Sequence, residues 1–523
     1  MKCHLVFLFG VMVAMVLVQD TKAAKILTLI SFNGKSHFSM FEVLLKALAK
    51  RGHQVTVVGF FPLKDPIPNY TDISVEGSLP EVVNNMTVDF FRGLGPFNAV
   101  MILYKLHVEM CSIVMDHPNV QKLIRSDEKF DLIITQIFSP DCFLGFSHRF
   151  NAPVISLTTS VAVPWGNDRI GNPDHPAYIP NCILPYTQYM SFSQRLVNTV
   201  LTQVLKLAQY YYSDLTIDEL TRKHLGPDVP PLSELKKNTS LILVNSHFTI
   251  NIPRPAVPAF VEVGGMHIKS GGKLPDDLKA YLDEAKDGVI YFSLGSMIRS
   301  ETLPREKVQA FIDTFAKLPQ KVLWKIDNIT GLPHNVRTSK WLPQYEVLCH
   351  PNVRAFITHG GQFGTQEGVH AGVPMIGIPL GFDQVLNIMN YVTKGVAVEL
   401  DYESISEETV SNALSKVLYD PSYRTNAKQL SELFRDRPQS ALDTAVYWTE
   451  YVIRYRGAPH LQTAAVEMPL YQYLLLDVIA VLLLCAILFG VAFYCGFKIM
   501  FKIISDILRQ KRAAKHKVKG KKE

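Results

Sequence analysis

The chain has 523 residues, of which 48% are hydrophobic and 19% are charged. This length excludes a single ordinary domain, and this composition excludes a largely disordered chain. The formal net charge of +6 is smaller than the +8 of residues 498–523 alone, where ten Lys and Arg stand against two acidic residues. The remainder of the chain is therefore nearly neutral, and the basic composition gives no reason to expect nucleic-acid binding.

Residues 1–23 are predicted to form a secretory signal peptide. Lys2 precedes the apolar run 5–18, and small residues follow at Ala23 and Ala24. The run is short for a membrane span, and no basic cluster follows it to stop translocation. A first core strand is the alternative interpretation of this run.

Residues 24–245 are predicted to form a first α/β domain. The run KILTLISF predicts a strand, the segment NGKSH that ends at His37 a loop, and residues 38–50 a helix. A strand over 53–61 completes a β-α-β unit, which favours a parallel sheet with further strands at 130–138 and 154–157. The Phe, Tyr, Met and Leu residues between positions 70 and 220 predict an apolar pocket in addition to core.

The strand and helix pattern restarts in a second predicted domain, residues 286–440. Residues 246–285 are rich in Pro and Gly and are predicted to be a linker, and helices over 441–477 are predicted to return from the second domain. The strands of the second domain are predicted at GVIYFSLGS, KVLWKI, VRAFITH, PMIGIP and VAVEL. Two doubly wound domains that face each other would bind ligands in the cleft, at the carboxyl ends of their strands.

The C-terminal region is predicted to cross a membrane once. Residues 478–497 carry no charge, and twenty residues of helix span a hydrocarbon core of about 30 Å. The basic tail 498–523 is expected on the cytoplasmic side, which places the bulk of the chain in the lumen or outside. The seven cysteines contain no CxxC pair, so neither a disulfide framework nor a zinc site is predicted.

The segment that begins at His359 is predicted to bind a phosphate group. Gly360 and Gly361 follow the histidine, lack a Cβ and let the backbone approach a ligand closely. The helix that begins next would present unpaired N–H groups and a partial positive charge to an anion. Glu367 lies about one turn into this helix and could accept hydrogen bonds from the paired hydroxyls of a ribose. A simple turn is the alternative interpretation of the two glycines.

Other polar and aromatic side chains are predicted to face the same cleft. Trp341 offers a flat face on which a base can stack. Asp383 and Gln384 follow the strand PMIGIP and could hold sugar hydroxyls, and Ser296 lies at another junction of strand and turn. Alone, the tryptophan could equally be core and the aspartate a helix cap.

The run from Trp341 to Gln384 strongly resembles the signature of the animal UDP-glycosyltransferases, and the arthropod members in particular. The resemblance extends over nearly the whole chain, including SHF near the N-terminus, FSLGS, the apolar span and the basic tail. It implies two facing Rossmann-like domains of the GT-B type. It also implies residue roles: uracil would contact Trp341 and Gln344, the ribose Glu367, the diphosphate Ser296, His359 and Gly361, and the sugar Asp383 and Gln384. Phe363 departs from the pattern, because many relatives have asparagine there.

The reaction expected from this resemblance is an inverting transfer with His37 as the catalytic base. A histidine can remove the acceptor proton near neutral pH, and His37 matches the family's base. Relatives orient this base with an aspartate at the position of Gln136, and Asp141 is the nearest carboxylate downstream, so Asp141 is predicted to be the partner. The alternative is that Asp141 caps the next helix. Without a DxD motif, neither a metal nor a cofactor is expected.

The expected product is a β-glycoside of a small lipophilic hydroxyl compound, such as a phenol, a steroid or a plant toxin. UDP-glucose is the expected donor, and the endoplasmic reticulum membrane is the expected location, with a lumenal catalytic domain. Gln136 and Phe363 leave a different possibility open, a membrane protein that binds UDP and serves as a scaffold without catalysis. The oligomeric state is open.

Overall fold

The structure is a computed structural model that describes residues 23–30, 32–92, 96–137, 141–269, 271–327 and 329–519. They fall into two compact units, one that ends at Val466 and one that begins at Glu467. The predicted signal peptide, apart from Ala23, lies outside the described residues.

The first lobe is built on a sheet of seven parallel strands. Their spatial order is β3-β2-β1-β4-β5-β6-β7, so the direction of strand succession reverses between β1 and β4. Most positions of β1, β4 and β5 are buried, as expected for strands that are covered on both faces. The strands are β1 (Lys25–Leu29), β2 (Gln54–Gly59), β3 (Tyr70–Ser74), β4 (Leu132–Gln136), β5 (Val154–Thr158), β6 (Thr239–Val244) and β7 (Phe260–Glu262).

The first helix of the first lobe begins earlier in the chain than the sequence predicts. The helix after β1 begins at Lys35, so His37 lies in its first turn and not in a loop. Its early start is compatible with Gly34, whose extended backbone precedes the helix. The helices are α1 (Lys35–Lys50), α2 (Val88–Arg92), α3 (Pro96–Asp116), α4 (Pro118–Ile124), α5 (Gly145–Phe150), α6 (Pro164–Asn167), α7 (Phe192–Ala208), α8 (Leu215–Leu225) and α9 (Leu232–Leu235).

The second lobe is also built on a parallel sheet, with six described strands in the order β10-β9-β8-β11-β12-β13. The strands are β8 (Val289–Ser293), β9 (Lys321–Lys325), β10 (Val336–Ser339), β11 (Val353–Thr358), β12 (Met375–Gly377) and β13 (Ala397–Glu399). The helices are α10 (Asp276–Asp283), α11 (Arg305–Ala316), α12 (Gln344–Leu348), α13 (Gln362–Ala371), α14 (Gln384–Thr393), α15 (Glu407–Tyr419) and α16 (Pro421–Arg435). Two doubly wound sheets confirm the predicted fold class.

The predicted linker 246–285 contains regular structure. Strand β7 lies within it and extends the first sheet by pairing Ile242 with Phe260. The first domain therefore continues past the predicted boundary at residue 245, because a three-residue strand between prolines and glycines gives little periodic signal. Helix α17 (Ala441–Tyr455) returns to the first lobe, where Arg51 Nη2 donates to Glu450 Oε2 at 3.0 Å.

The second unit contains α18 (Leu470–Tyr473) and the long helix α19 (Leu476–Lys519). By its length and a mean hydropathy of 2.8 in its most apolar window, α19 is able to cross a membrane. It contains the predicted span 478–497 and continues as helix through much of the basic tail.

A disulfide joins Cys111 of α3 to Cys142, which lies just before α5, across 31 positions of sequence. The spacing of the cysteines gave no indication of this pair. The two residues meet because α3 packs beside the segment that follows β4.

Candidate active site

A cavity of about 1020 Å³ lies between the two lobes, at the carboxyl ends of the strands of both sheets. Nine of the ten predicted site residues lie in its wall. They are His37, Ser296, Trp341, Gln344, His359, Gly361, Glu367, Asp383 and Gln384. A cleft at this edge of an open α/β sheet is where such folds bind their ligands.

Direct contacts between the lobes close one side of this cavity. The backbone N–H of Asn84 donates to the carbonyl oxygen of Ser296 at 2.7 Å, and Met86 pairs with Ile298. In addition, Gln362 Nε2 donates to the carbonyl oxygen of Asn245 at 2.7 Å. The contact of Gln362 fixes the N-terminal end of α13 against the first lobe.

The turn at Gly360 brings backbone amides to the cavity. Gly360 has a φ of +88°, and a Cβ there would lie 2.6 Å from Ile388 Cγ1 and 3.0 Å from the Gln384 carbonyl oxygen. Glycine is therefore required both by the backbone angle and by space. Gly361 follows as the N-cap residue of α13, whose first N–H groups have no partner within the helix.

His359 and Lys325 add hydrogen-bond donors and positive charge beside this turn. Burial and, to a smaller extent, the nearby charge of Lys325 lower the pKa of His359 to about 4, so the ring is neutral at physiological pH. Its Nδ1 has no hydrogen-bond partner among the described residues. Lys325 Nζ donates to the Gly295 carbonyl oxygen at 2.6 Å and lies 5.5 Å from the centre of the Trp341 ring.

Glu367 is held in place by a short chain of hydrogen bonds. Tyr291 Oη donates to Gln344 Oε1 at 3.2 Å, and Gln344 Nε2 donates to Glu367 Oε2 at 2.6 Å. Burial raises the pKa of Glu367 to about 7, although the bond from Gln344 favours the carboxylate. Trp341, with 62% of its surface exposed, stands in the same part of the wall.

Asp383 and Gln384 lie at the start of α14. Burial raises the pKa of Asp383 to about 6, and Asn387 Nδ2 donates to its Oδ2 at 3.1 Å. The Gln384 Oε1 accepts from the Leu380 N–H at 2.8 Å, which leaves the NH₂ group for a ligand. The pair thus offers one acceptor and one donor group to the cavity.

His37 lies in the part of the same cavity wall that belongs to the first lobe. Its Nδ1 lies 2.7 Å from Thr159 Oγ1 and 3.2 Å from Gln136 Nε2, and burial lowers its pKa to about 3. The Phe32 ring lies 4.6 Å away, and the Phe363 ring of the second lobe 6.4 Å away, between ring centres. The imidazole is therefore neutral and oriented by polar groups that carry no charge.

A family model described as "UDP-glucoronosyl and UDP-glucosyl transferase" matches residues 69–513, most of the chain. The chain belongs to the UDP-glycosyltransferase family. UDP-glucosyltransferase 2 of Dactylopius coccus is 44% identical over 92% of this chain and 94% of its own length. Human UDP-glucuronosyltransferase 1A6 is 33% identical over 88% of each chain.

Solved glycosyltransferases share the fold at much lower identity. The calicheamicin glycosyltransferase CalG4 aligns with a TM-score of 0.55 and 18% identity, over 83% of this chain and 99% of its own. The kitacinnamycin glycosyltransferase aligns with a TM-score of 0.54. These likenesses confirm the GT-B arrangement of two facing Rossmann-like domains.

The structure pairs Asp141 with residues other than His37, the predicted base, so the predicted role of Asp141 is not seen. The Asp141 carboxylate contacts Arg169 and lies 3.3 Å from Lys236 Nζ, outside the cavity wall. Burial alone would raise the pKa of Asp141, but the charges of Arg169 and Lys236 lower it below its usual value. Nearness in sequence was the only ground for the prediction, and the backbone after β4 carries Asp141 into a buried ion network instead. The alternative role, a side-chain cap, is not seen either.

Sequence reasoning missed Lys325 and Thr159 as cavity residues of the glycosyltransferase. Lys325 is the last residue of β9, and Thr159 directly follows β5. Both positions carry the signal that drew attention to His359, a polar residue at the carboxyl end of a strand. Among the described residues, no group of three or more His, Cys, Asp or Glu side chains is placed to hold a metal ion.

Proposed function

We propose that this UDP-glycosyltransferase transfers glucose from UDP-glucose to a hydroxyl group of a small lipophilic acceptor, with inversion and without a metal, to give a β-glycoside. The proposal rests mainly on one observation: a neutral histidine and the backbone amides at a helix N-terminus line the same cavity, one on each lobe. The neutral His37 lies on the first lobe, and the amides at the start of α13 lie on the second.

The donor is proposed to bind along the second lobe. Uracil stacks on Trp341 and contacts Gln344, and the ribose hydroxyls donate to Glu367. The diphosphate takes hydrogen bonds from His359, Ser296 and the amides that begin at Gly361. Lys325 adds positive charge at the same place, which stabilises the negative charge that develops on the leaving UDP.

His37 is proposed to remove the acceptor proton through Nε2. Its Nδ1–H donates to Thr159 Oγ1, and the Gln136 oxygen, which has no hydrogen-bond partner among the described residues, can accept from the same N–H after a half-turn of the amide. The acceptor oxygen forms a bond to the anomeric carbon as the bond from that carbon to the phosphate oxygen breaks. The proton passes to His37, and the electron pair leaves with UDP.

The acceptor is proposed to lie in the first-lobe part of the cavity. Apolar side chains from α3 and from the loop after β3 line this part: Leu79, Val82, Leu103, Leu106 and Met110. Such a wall favours phenols, steroids and similar compounds over sugars or other polar acceptors.

Glucose is favoured as the transferred sugar by the acidic group at the sugar end. Asp383 can accept from glucose hydroxyls as a carboxylate but would repel the carboxylate of a glucuronate donor. The relative with 44% identity is named a glucosyltransferase. Asp383 and Gln384 are the proposed sugar contacts.

Transfer is tested on the full-length protein in detergent, with UDP-glucose, UDP-glucuronate and UDP-galactose in competition for one phenol. We expect UDP-glucose to supply most of the product and the anomeric proton to show the coupling of a β-glycoside in NMR spectra. A dominant glucuronide would contradict the assignment of the sugar, and an α-glycoside would contradict inversion.

The proposed location is the endoplasmic reticulum membrane, with α19 as the single span and the catalytic unit in the lumen. The disulfide between Cys111 and Cys142 supports this, because such bonds persist in oxidising compartments. The basic residues that follow the apolar part of α19 support a cytoplasmic C-terminus.

Replacement of Gln136 by glutamate is expected to create a new pH dependence. In the wild type the pKa of His37, about 3, keeps the base neutral, so kcat at saturating UDP-glucose should stay flat from about pH 8 to about pH 5. A carboxylate beside the ring favours its cation, raises its pKa and should make kcat fall as the pH drops toward 5. Gln136→Leu is the matched control. Its kcat should be lower than that of the wild type, but it should not fall further as the pH drops toward 5. Identical pH profiles in all three proteins would rule out Gln136 as a partner of His37.

A further inference from the structure

His267 is a buried histidine of the cavity wall to which the proposed function gives no role. It lies where the chain crosses between the lobes. Met266, just before it, packs in the core of the first lobe, and Ile268, just after it, packs against the core of the second. Only 6% of the His267 side chain is exposed. A polar ring that is buried at such a crossing point is expected to have a specific partner.

The backbone before His267 is attached to helix α13 by hydrogen bonds. Gly265 has a φ of +85°, which favours glycine, and its N–H donates to Gln366 Oε1 at 2.8 Å. Gln366 Nε2 in turn donates to the carbonyl oxygen of Asn245 at 3.2 Å. Because Gln366 directly precedes Glu367 in α13, these bonds set the position of His267 relative to the Glu367 carboxyl group.

The ring of His267 packs on one side of α13. It lies edge to face against the Phe363 ring, with 4.7 Å between ring centres, and its Nε2 lies 3.9 Å from Glu367 Oε1. Phe363 and Glu367 are four positions apart and therefore share this side of the helix. The Phe363 backbone is near enough to favour the protonated ring, but neither ring nitrogen makes a hydrogen bond of normal geometry with a described residue. Nε2 is thus an unused hydrogen-bonding group beside the Glu367 carboxyl group.

The two side chains are chemically complementary. Burial lowers the pKa of His267 to about 4, so the ring is neutral at physiological pH and carries one N–H. Burial raises the pKa of Glu367 to about 7, and only its Oε2 accepts a hydrogen bond from Gln344. A neutral N–H beside Oε1 favours the carboxylate without adding a second buried charge. A movement of about 1 Å brings Nε2 and Oε1 to hydrogen-bond distance.

We infer that His267 is a positioning residue for the donor and acts through Glu367. The inference rests on the proposed role of Glu367 as the acceptor for the ribose hydroxyls. A carboxylate has about four sites for hydrogen-bond donors. Gln344 Nε2 occupies one site on Oε2, and the Nε2–H of His267 occupies one on Oε1. The two ribose hydroxyls then take the remaining two sites, so every acceptor site of the buried carboxylate is used when the donor is bound.

The first test removes the N–H of His267 and compares three substitutions at this position. His267→Phe keeps an aromatic ring against Phe363, His267→Met fills the space with a flexible apolar chain, and His267→Gln restores an N–H near the position of Nε2. Calorimetry with UDP-glucose is done on the full-length protein in detergent at about pH 8, where Glu367 is ionised. We expect about tenfold weaker binding for the Phe and Met variants, and an affinity within about threefold of the wild type for the Gln variant. Equal losses in all three would show that the shape of the ring matters and not its N–H, and would overturn the inference.

A double-mutant cycle with Glu367→Ala tests whether the two side chains act together. If His267 acts through Glu367, adding His267→Phe or His267→Met to Glu367→Ala should change the affinity for UDP-glucose by less than about twofold. A tenfold loss in both backgrounds would show that His267 acts independently of Glu367, which contradicts the inference. His334→Phe, at an exposed histidine outside the cavity wall, is the control and should bind as the wild type does.

The same measurements separate a failure of this inference from a failure of the proposed function. If Glu367→Ala alone binds UDP-glucose as tightly as the wild type, Glu367 is not the ribose acceptor, and the roles of both residues are wrong. If Glu367→Ala weakens binding while His267→Phe and His267→Met do not, the role of Glu367 in the proposed function is supported and only that of His267 is wrong.

Discussion

Replacing His37 by alanine is expected to lower kcat by about two to four orders of magnitude, the usual contribution of a positioned general base. The affinity for UDP should not change, because the proposed donor contacts all belong to the second lobe. Initial rates with UDP-glucose and a phenol, and calorimetry with UDP, measure the two quantities separately.

The control for this experiment is His334→Ala, which removes an exposed histidine that is not part of the cavity wall. It should transfer sugar at the rate of the wild type. Equal rates of sugar transfer for His37→Ala and the wild type would show that His37 is not the base. A wild-type protein that binds UDP and transfers no sugar to any acceptor would instead favour the scaffold alternative.

Replacing Glu367 by glutamine is expected to weaken the binding of UDP-glucose by roughly tenfold to a hundredfold, since hydrogen bonds to a charged group contribute about 1.5–3 kcal/mol. Above about pH 6, where Asp383 is largely ionised in both proteins, the wild type should also show a pH dependence that the variant lacks. The pKa of Glu367 is about 7 in the free protein, and the ribose hydroxyls need the carboxylate form as acceptor. Binding then releases a proton, so affinity is full above pH 7 and falls about tenfold per pH unit below it.

UDP-glucose is the appropriate ligand for this titration because its diphosphate, unlike that of UDP, loses no proton near neutral pH. Calorimetry between about pH 5.5 and about pH 8 measures the dependence. Glu432→Gln, at an exposed position of α16, is the control and should behave as the wild type. A wild-type affinity that does not change over this range would contradict the role of Glu367 as the ribose acceptor.

Much of the donor half could be predicted because its residues follow one another closely along the chain. His359, Gly361 and Glu367 belong to a single strand, turn and helix, so local spacing places them in the wall of one cavity. The glycine at position 360 is required by a positive φ, which the sequence already suggested. The first-lobe residues of the cavity were harder to predict from the sequence, because their polar groups follow different strands that are far apart along the chain.

The partner of His37 shows where the sequence was not sufficient. Asp141 is a few residues from Gln136, and a carboxylate is the usual partner of a catalytic histidine. Only packing decides that its charge is neutralised by Arg169, which lies far along the chain. Thr159 gave only the weak signal of a polar residue after a strand, yet its hydroxyl lies closer to His37 Nδ1 than the Gln136 amide does.

The sequence by itself determined the two β-α-β halves, the apolar C-terminal helix and the turn from His359 into α13, because these features depend on residues that are neighbours in the chain. The tertiary structure alone decided the contact of Thr159 with His37, the burial of Asp141 in an ion network and the disulfide from Cys111. Each of these depends on which side chains, distant in sequence, come into contact when the helices pack on the sheets. Local periodicity carries no information about such tertiary contacts.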